Sequence, residues 1–187
     1  MDLGQSRRGV DMGPSALRVA GLQSRIKQLG YQVEDIGNVR VKQPEEQPYG
    51  EKRAKYLHEI AETCKGLAEM VEKTLAEGIF PLVLGGDHSI AVGSVGGVSA
   101  HFRKQGKRIG CIWLDAHGDM NTDETTPSGN IHGMPLAASI GLGAIELTSV
   151  GGDFQKVDPR NVVMIATRDL DQGEKIAIKK NTGFTRV

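Results

Sequence analysis

Three short apolar runs constrain the fold of this sequence more than any other feature. They are FPLVL at 80–84, RIGCIWL at 108–114 and NVVMIAT at 161–167. None of them alternates apolar and polar side chains, as a strand with one face in water does, and helical patterns separate them. Such runs are typical of a parallel sheet that is covered by helices on both faces. We therefore predict an α/β fold of the three-layer αβα kind, in which a parallel sheet lies between two layers of helices.

Apolar side chains at spacings of three and four residues predict the helices of these layers. In the first helix, Pro14 suits the opening turn and Gly30 the C-terminal cap. The predicted elements are helices over 13–30, from Leu57 to a stop at Gly78, over about 89–104 and before the third apolar run, with a short strand over 31–37 and a surface loop over 38–50.

The composition limits the class of protein. The chain has 187 residues, which is enough for a hydrophobic core, and we predict that 1–187 is a single domain. Its 23 basic and 23 acidic side chains balance, which argues against binding to nucleic acid or to an anionic membrane. No apolar run resembles a signal peptide or spans a membrane, so we expect a soluble, cytoplasmic protein. We expect Cys64 and Cys111 to be small buried side chains, without a disulfide.

Two of the predicted strands end in side chains that bind metal ions. Asp87 and His88 follow the first apolar run, and Asp115, His117 and Asp119 follow the second. Ligands of open α/β sheets lie beyond the carboxyl ends of the strands, and alternate residues that leave a strand tend to project to one side. Carboxylates with some histidine and no thiolate favour Mn²⁺ over a structural Zn²⁺. The sequence therefore predicts a metal site, preferably for Mn²⁺, at these strand ends.

Simpler roles exist for each of these residues. Asp87 or Ser89 can cap the helix that follows, and a histidine after two glycines, such as His88, is often a solvated loop residue. A single Asp-x-His-x-Asp spacing also arises by coincidence in polar loops. Two ligand-bearing loops in one short chain favour the metal site over these alternatives.

Two further polar segments lie downstream. The composition of the segment 121–137 indicates a surface loop with Asx-turns. Because this segment directly follows a metal motif, it could instead line a polar substrate pocket. His132 in this loop is then a candidate proton shuttle, because imidazole titrates near neutral pH. The segment TRDLDQGE at 167–174 is typical of an acidic helix N-terminus. The polar side chains of the two segments are Asn121, Thr122, Ser128, Asn130 and His132, and Asp169, Asp171 and Glu174.

The motifs GGDHS, DAHGDMN, SGNIHGMP and RDLDQGE, in this order, resemble those of the arginase family of binuclear manganese ureohydrolases. The opening DLGQSRRGVDMGPSALR is similar to the start of bacterial members, and the similarity extends from Asp2 to about Gly183. The resemblance implies that a manganese-bound hydroxide hydrolyses L-arginine to L-ornithine and urea, as in arginine metabolism and the urea cycle. It also implies a homo-oligomer, either a trimer or a hexamer. Another ureohydrolase, such as agmatinase, is the alternative.

Carried over position by position, the resemblance implies a role for each candidate residue. His88, Asp115 and Asp119 match the ligands of one manganese ion, and His117 matches a ligand of the second, with Asp115 as the bridge. His132 matches the proton-shuttle histidine. The residues that match the substrate pocket are Asn121, Ser128 and Asn130 for the α-carboxylate, and Asp171 and Glu174 for the α-amino group. This set favours arginine over agmatine, which lacks the carboxylate.

The sequence also departs from the family pattern. A later Asp-x-Asp strand end that completes the metal site, and a glutamate that receives the guanidinium group, have no counterpart in it. In the family sheet the strands matched by 108–114 and 161–167 are neighbours, whereas those matched by 31–37 and 80–84 lose their partners. We therefore expect an incomplete arginase, cut at both ends and with a frameshifted tail NTGFTRV, that is unstable alone and inactive as it stands. A non-catalytic fragment or pseudogene product is the alternative.

Overall fold

The computed structural model describes residues 1–48, 50–181 and 183–186. Short 3₁₀ turns precede or join several of the helices, including those at His88–Ile90 and Ile131–Gly133. The helices are α1 (Gly13–Val19), α2 (Leu22–Gln28), α3 (Leu57–Ala76), α4 (Ala91–Lys104), α5 (Pro135–Ser139), α6 (Ile145–Thr148) and α7 (Gln172–Lys180). The strands are β1 (Gly50–Glu51), β2 (Ala54–Lys55), β3 (Cys111–Leu114), β4 (Val162–Ile165) and β5 (Thr185–Arg186).

A parallel sheet forms in the order β3–β4–β5, as the apolar runs predict. Trp113 of β3 lies opposite Met164 of β4, and both side chains are buried on the helix-covered face. The opposite face is open, because Ile112 and Leu114 are 73% and 72% exposed. Among the described residues, helices therefore cover one face of β3, so the predicted αβα arrangement is incomplete there.

Helices α3 and α4 pack closely because glycine lines their contact. A Cβ atom at Gly97 would lie 2.4 Å from the carbonyl oxygen of Ala68, and one at Gly93 would lie 2.7 Å from that of Cys64. Cys64 is fully buried, as predicted, whereas Cys111 is only half-buried; both are free thiols. The predicted helix over 57–77 and the small-residue helix are confirmed, and both contribute side chains to one hydrophobic cluster of the core.

The first apolar run does not form the predicted buried strand. Residues 79–84 have no strand pairing among the described residues, and Phe80 and Leu82 are 85% and 58% exposed. The segment 31–37, predicted as a strand, is also unpaired. An apolar run becomes a strand only where another strand accepts its hydrogen bonds. The described part of the chain places no such partner beside either segment.

The predicted helix over 13–30 is divided into α1 and α2. Gly21 separates them in the left-handed conformation, with φ of 80°, and neither helix contains a buried residue. Val19 and Leu29, two of the apolar side chains whose spacing predicts this helix, are 90% and 74% exposed. The periodicity predicts helical structure correctly, but the apolar face has no covering element among the described residues.

Two further segments differ from the sequence analysis. The predicted surface loop over 38–50 contains a 3₁₀ turn at Pro44–Glu46 and ends in β1; Tyr49 lies outside the described residues. In the tail NTGFTRV, residues 185–186 pair in parallel with β4, so this tail adds a strand to the sheet. Thr182 and Val187 of the tail lie outside the described residues. Within the described ranges, no helix is both long and apolar enough to cross a membrane.

Candidate metal centre

The carboxyl end of β3 leads directly into the candidate site. Asp115 continues the strand pairing by one residue, because its N–H donates to the carbonyl oxygen of Ile165 at 3.2 Å. Its side chain then accepts a hydrogen bond from the backbone N–H of His117 at 2.9 Å, which closes a local turn. Asp119 adopts a left-handed conformation with φ of 50°, and its carbonyl oxygen caps the start of α5. The chain therefore turns directly after β3, and the side chains of 115–119 do not alternate from side to side as they would in an extended strand.

Three of the predicted ligands converge on one point. His88, Asp115 and Asp119 each offer one ligand atom, and these atoms lie within 4.8 Å of one another. His88 Nδ1 lies 2.7 Å from Asp119 Oδ2 and 3.1 Å from Asp115 Oδ2. Asp119 Oδ2 is buried and receives no well-directed hydrogen bond within the described structure. A buried, poorly satisfied carboxylate oxygen beside an imidazole nitrogen and a second carboxylate suits a divalent cation.

Asp115 lies between the two histidines of the predicted site. Its Oδ2 faces His88, while its Oδ1 lies 3.3 Å from His117 Nδ1. His117 does not belong to the three-residue group and is 60% exposed. Its Nε2 lies 3.7 Å from Asp169 Oδ2, a contact between two strand-end loops that the sequence analysis did not predict. The carboxylate of Asp115 therefore contacts both histidines that the sequence analysis predicts as metal ligands.

The electrostatics of His88 reflect its carboxylate neighbours. Burial disfavours the imidazolium, but the carboxylates of Asp119 and Asp115 outweigh that effect and raise the pKa of His88. The ring also stacks on Trp113, with centroids 4.6 Å apart. Trp113 was not singled out from the sequence, although its position two residues before Asp115 in β3 places it on the same side of the strand.

Asp87 serves the structural role considered from the sequence. Its Oδ1 accepts a hydrogen bond from the Ser89 N–H at 2.9 Å, and its Oδ2 accepts one from the Gly4 N–H at 3.0 Å. The side chain is buried and caps the turn that carries His88. Asp87 therefore fixes the turn while His88 faces the carboxylates.

The predicted α-amino-binding residues form the N-terminus of α7. Asp171 and Glu174 make a reciprocal capping box, so the helix-terminus interpretation of this acidic segment is confirmed. Asn121 donates from Nδ2 to Asp171 Oδ2 at 2.6 Å, which joins the two predicted substrate segments. Burial raises the pKa of Glu174, backbone hydrogen bonds from Asp171 and Met120 oppose the shift, and the charges of Asp171 and Asp119 add to it.

Ser128 and Asn130 lie in a separate polar cluster. The Ser128 Oγ accepts a hydrogen bond from the Asn130 N–H at 3.2 Å, and Asn130 contacts Ser6 at 3.0 Å. Lys55 Nζ donates to Asn130 Oδ1 at 2.9 Å. Lys55 was missed in the sequence analysis, and no local signal could have found it, because the contact joins positions 75 residues apart. Its β1–β2 hairpin also holds the loop, since the Lys55 N–H donates to the Gly129 carbonyl.

His132 is held in one tautomer by a backbone carbonyl. The backbone nitrogen of His132 lies 3.0 Å from the carbonyl oxygen of Gly4, and the ring nitrogen Nδ1 lies 2.8 Å from the same oxygen. A carbonyl oxygen only accepts, so Nδ1 carries the proton and Nε2 is the basic nitrogen of the neutral ring. The half-buried ring is thus oriented by the N-terminal segment of the chain.

Comparison with known proteins gives the family. The sequence model of the arginase family matches residues 1–187. The chain belongs to the arginase family. It is 52% identical over 181 residues to the arginase of Bacillus caldovelox and 53% identical over 180 residues to that of Brevibacillus brevis. Each alignment covers 96% of this chain and 59% of the relative, so the chain spans about three fifths of their length.

Solved arginase structures share the fold. The native Bacillus caldovelox arginase at pH 5.6 aligns with all of this chain and 61% of its own, at 50% identity and a TM-score of 0.92. The Bacillus cereus arginase gives a TM-score of 0.90 at 49% identity, again over all of this chain and 61% of its own. The predicted αβα fold, in incomplete form, is confirmed. The arginase family is metal-dependent, and its members are hydrolases that act on amidines.

Proposed function

We propose that these residues are the part of an arginase that binds manganese and recognises the amino-acid end of L-arginine, which the whole enzyme hydrolyses to L-ornithine and urea. The observation that carries the proposal is the position of Asp115 between His88 and His117, at 3.1 and 3.3 Å. A carboxylate that faces two histidines in this way suits a pair of metal ions. The solved arginase of Entamoeba histolytica in complex with L-ornithine, at 34% identity and a TM-score of 0.84, supports the amino-acid ligand.

The donor set fits the metal that the family uses. His88, Asp115 and Asp119 would hold one Mn²⁺ ion, and His117 would hold the second, with Asp115 shared between them. Metal ions bound there would lower the pKa of bound water and so supply a nucleophile at neutral pH. Oxygen and imidazole donors without a thiolate favour Mn²⁺ over a structural Zn²⁺ in such a site.

The remaining residues would bind the substrate and move the proton. His132 presents its basic Nε2, because Gly4 holds Nδ1, and this nitrogen would transfer a proton to the leaving amine of ornithine. The α-carboxylate would bind to Asn121, Ser128 and Asn130, and the α-amino group to Asp171 and Glu174. Lys55 would orient the Asn130 amide and add positive charge near the carboxylate.

The proposal also sets the activity, location and assembly that we expect of this protein. Because the later Asp-x-Asp strand end that completes the family's metal site has no counterpart in the 187 residues, we expect negligible urea release from this chain alone. A non-catalytic metal-binding fragment is the alternative. The preference for arginine over agmatine rests on Asn121, Ser128 and Asn130, which would bind the α-carboxylate that agmatine lacks. A cytoplasmic location and a trimeric or hexameric assembly belong to the same proposal.

A chimera tests the proposal. Residues 1–181 would be joined to the segments of the Bacillus caldovelox arginase that have no counterpart here, and urea release would be measured with Mn²⁺. We expect turnover of arginine, none of agmatine, and a loss of about 100-fold or more on His132→Ala, as removal of a general acid–base group produces. The matched control His58→Ala, at a 74% exposed side chain, should leave turnover unchanged.

Three outcomes would count against the proposal. A folded chimera without urea release would support the non-catalytic alternative. Preferential release from agmatine would indicate an agmatinase. Equal turnover of the His132→Ala and His58→Ala chimeras would remove His132 from the reaction.

A further inference from the structure

A basic cleft lies at the other end of the parallel sheet from the candidate metal centre. Its cavity has a volume of about 320 Å³, and half of the residues that line it carry a positive charge. Arg108 and Ile109 precede β3, and Arg160 precedes β4, so the cleft opens where these parallel strands begin. The cations at its lining are Arg103, Lys107, Arg108, Lys156 and Arg160.

One carboxylate in the cleft is already neutralised. Asp158 pairs with Arg160, whose Nε and Nη2 lie 3.0 and 2.5 Å from the two carboxylate oxygens. Hydrogen bonds from Arg160 lower the pKa of Asp158 to about 2, and the charge of Arg108 adds to the effect. Arg103, Lys107 and Arg108 form no ion pair within the described ranges. The net charge of the sequence is zero, so this is a local excess of positive charge.

A neighbouring lysine contributes to the positive field from the wall of the cleft. Lys156 is buried, and its Nζ donates to the carbonyl oxygens of Thr148, Gly152 and Phe154 at 2.6 to 2.7 Å. Burial lowers the pKa of Lys156 to about 8, and the charge of Arg103 lowers it further while Asp153 opposes the shift. The Lys156 ammonium is therefore mostly charged at neutral pH, and the positive charge of Arg103 repels it.

The local structure fixes the exposed cations in place. The guanidinium of Arg103 lies 4.3 Å from the ring centroid of Phe154, a stacking contact that limits its rotation. After α4, Gly106 takes a left-handed conformation with φ of 70°, and backbone hydrogen bonds to Phe102 and Arg103 close the turn. That turn places Lys107 and Arg108 beyond the helix. Arg103 and Lys104 suit the negative end of the helix dipole, but Lys107 and Arg108 have no such role.

We propose that this cleft binds a small anion that carries phosphate groups. Guanidinium groups match phosphate oxygens with paired hydrogen bonds, and phosphate carries the multiple charge that three unpaired cations can balance. The volume lies at the lower end of the range of small-molecule sites. The site is separate from the metal centre, and nothing in the proposed arginase reaction uses it.

Calorimetric titration of the 187-residue chain with inorganic pyrophosphate tests the proposal. In buffer of physiological ionic strength, we expect one pyrophosphate per chain and an affinity that falls about 10- to 100-fold in Arg108→Gln, as loss of one or two charge-assisted hydrogen bonds produces. Arg103→Lys, which keeps the charge but loses the paired donors, should weaken binding less than Arg103→Gln. Lys104→Gln is the matched control, because Lys104 pairs with Glu72 and does not line the cleft.

A parallel titration with orthophosphate identifies the kind of anion. Equal affinity for orthophosphate and pyrophosphate would indicate a site for a single phosphate group, whereas tighter pyrophosphate binding would indicate a site for linked phosphates. No binding at millimolar pyrophosphate, or the same loss of affinity in Lys104→Gln as in Arg108→Gln, would overturn the proposal. Circular dichroism melts would show whether each variant is folded. If Arg103→Gln is unfolded, the affinity of Arg108→Gln, whose substitution lies in the exposed turn, decides the test.

Discussion

Trp113 is the single tryptophan of the sequence, and it stacks on the imidazole of His88. A charged imidazole quenches the fluorescence of an indole ring that it contacts, so Trp113 reports the protonation of His88. The carboxylates of Asp119 and Asp115 raise the pKa of His88 above its ordinary value of 6.5. In metal-free protein we therefore expect Trp113 fluorescence to increase with pH, with a midpoint above 6.5. His88→Gln should abolish the transition, and a midpoint below 6.5 would contradict the described electrostatics.

The same shift has a consequence for stability. A group whose pKa is raised on folding binds more protons in the folded than in the unfolded state between the two pKa values. The contribution of the His88 pair is thus complete below pH 6.5 and is lost as the pH rises through the raised pKa. Chemical denaturation of the metal-free chain at several pH values should show this decline, and His88→Gln should remove it.

Individual residues were predictable where their chemistry is local. The spacing of Asp115, His117 and Asp119 placed a ligand group at a strand end, and the structure brings two of these three together with His88. The left-handed turn at Asp119 was not predictable, because it depends on hydrogen bonds from α5 to its carbonyl oxygen. The contact of Lys55 with Asn130 depends on the whole fold.

At the scale of elements, the packing of α3 on α4 depends on glycine. Gly97→Ala would place a methyl group 2.4 Å from the Ala68 carbonyl and 2.8 Å from Val71 Cβ. Such overpacking costs roughly 1–3 kcal/mol in the free energy of unfolding, more than the gain of about 1 kcal/mol in helix propensity. Gly66→Ala is the matched control, since its methyl group would meet only Val39 at 3.6 Å. Urea denaturation should show a less stable Gly97→Ala and an unchanged or more stable Gly66→Ala; equal stabilities would contradict this packing.

Elements were predictable where their hydrogen-bond partners lie within the described structure. The strands matched by 108–114 and 161–167 pair in parallel, as the family pattern implies for neighbours. The segments 31–37 and 80–84 have equally strand-like sequences, but they remain unpaired. An apolar run predicts the tendency to form a strand, while a strand itself requires a partner in space. The short tail strand β5 was not predicted either, because it forms through its pairing with β4 and not through an apolar run of its own.

At the scale of the whole molecule, large apolar side chains face water on the open side of β3 and along 79–84. Ile112, Leu114 and Phe80 are each more than 70% exposed. Exposed apolar faces of this kind bind hydrophobic dyes and promote association. We expect the 187-residue chain to bind anilinonaphthalene sulfonate, and the double change Ile112→Thr, Leu114→Thr to reduce the dye signal severalfold. Ile145→Thr on α6, at a 63% exposed position outside the sheet, is the control. An equal reduction in the control would contradict a continuous apolar face.

The central claim concerns the cluster of His88, Asp115 and Asp119 at the carboxyl ends of the strands. The most direct test is a titration of the 187-residue chain with Mn²⁺, in which electron paramagnetic resonance measures the free ion. We expect Mn²⁺ to disappear from the free pool and Asp119→Asn to weaken binding by more than about 100-fold, beyond the effect of an outer-shell change. Asn also tolerates the left-handed backbone of position 119. Asp123→Asn, in the next loop, should bind as the unchanged chain does. A free-ion signal that is the same for all three proteins would contradict the account.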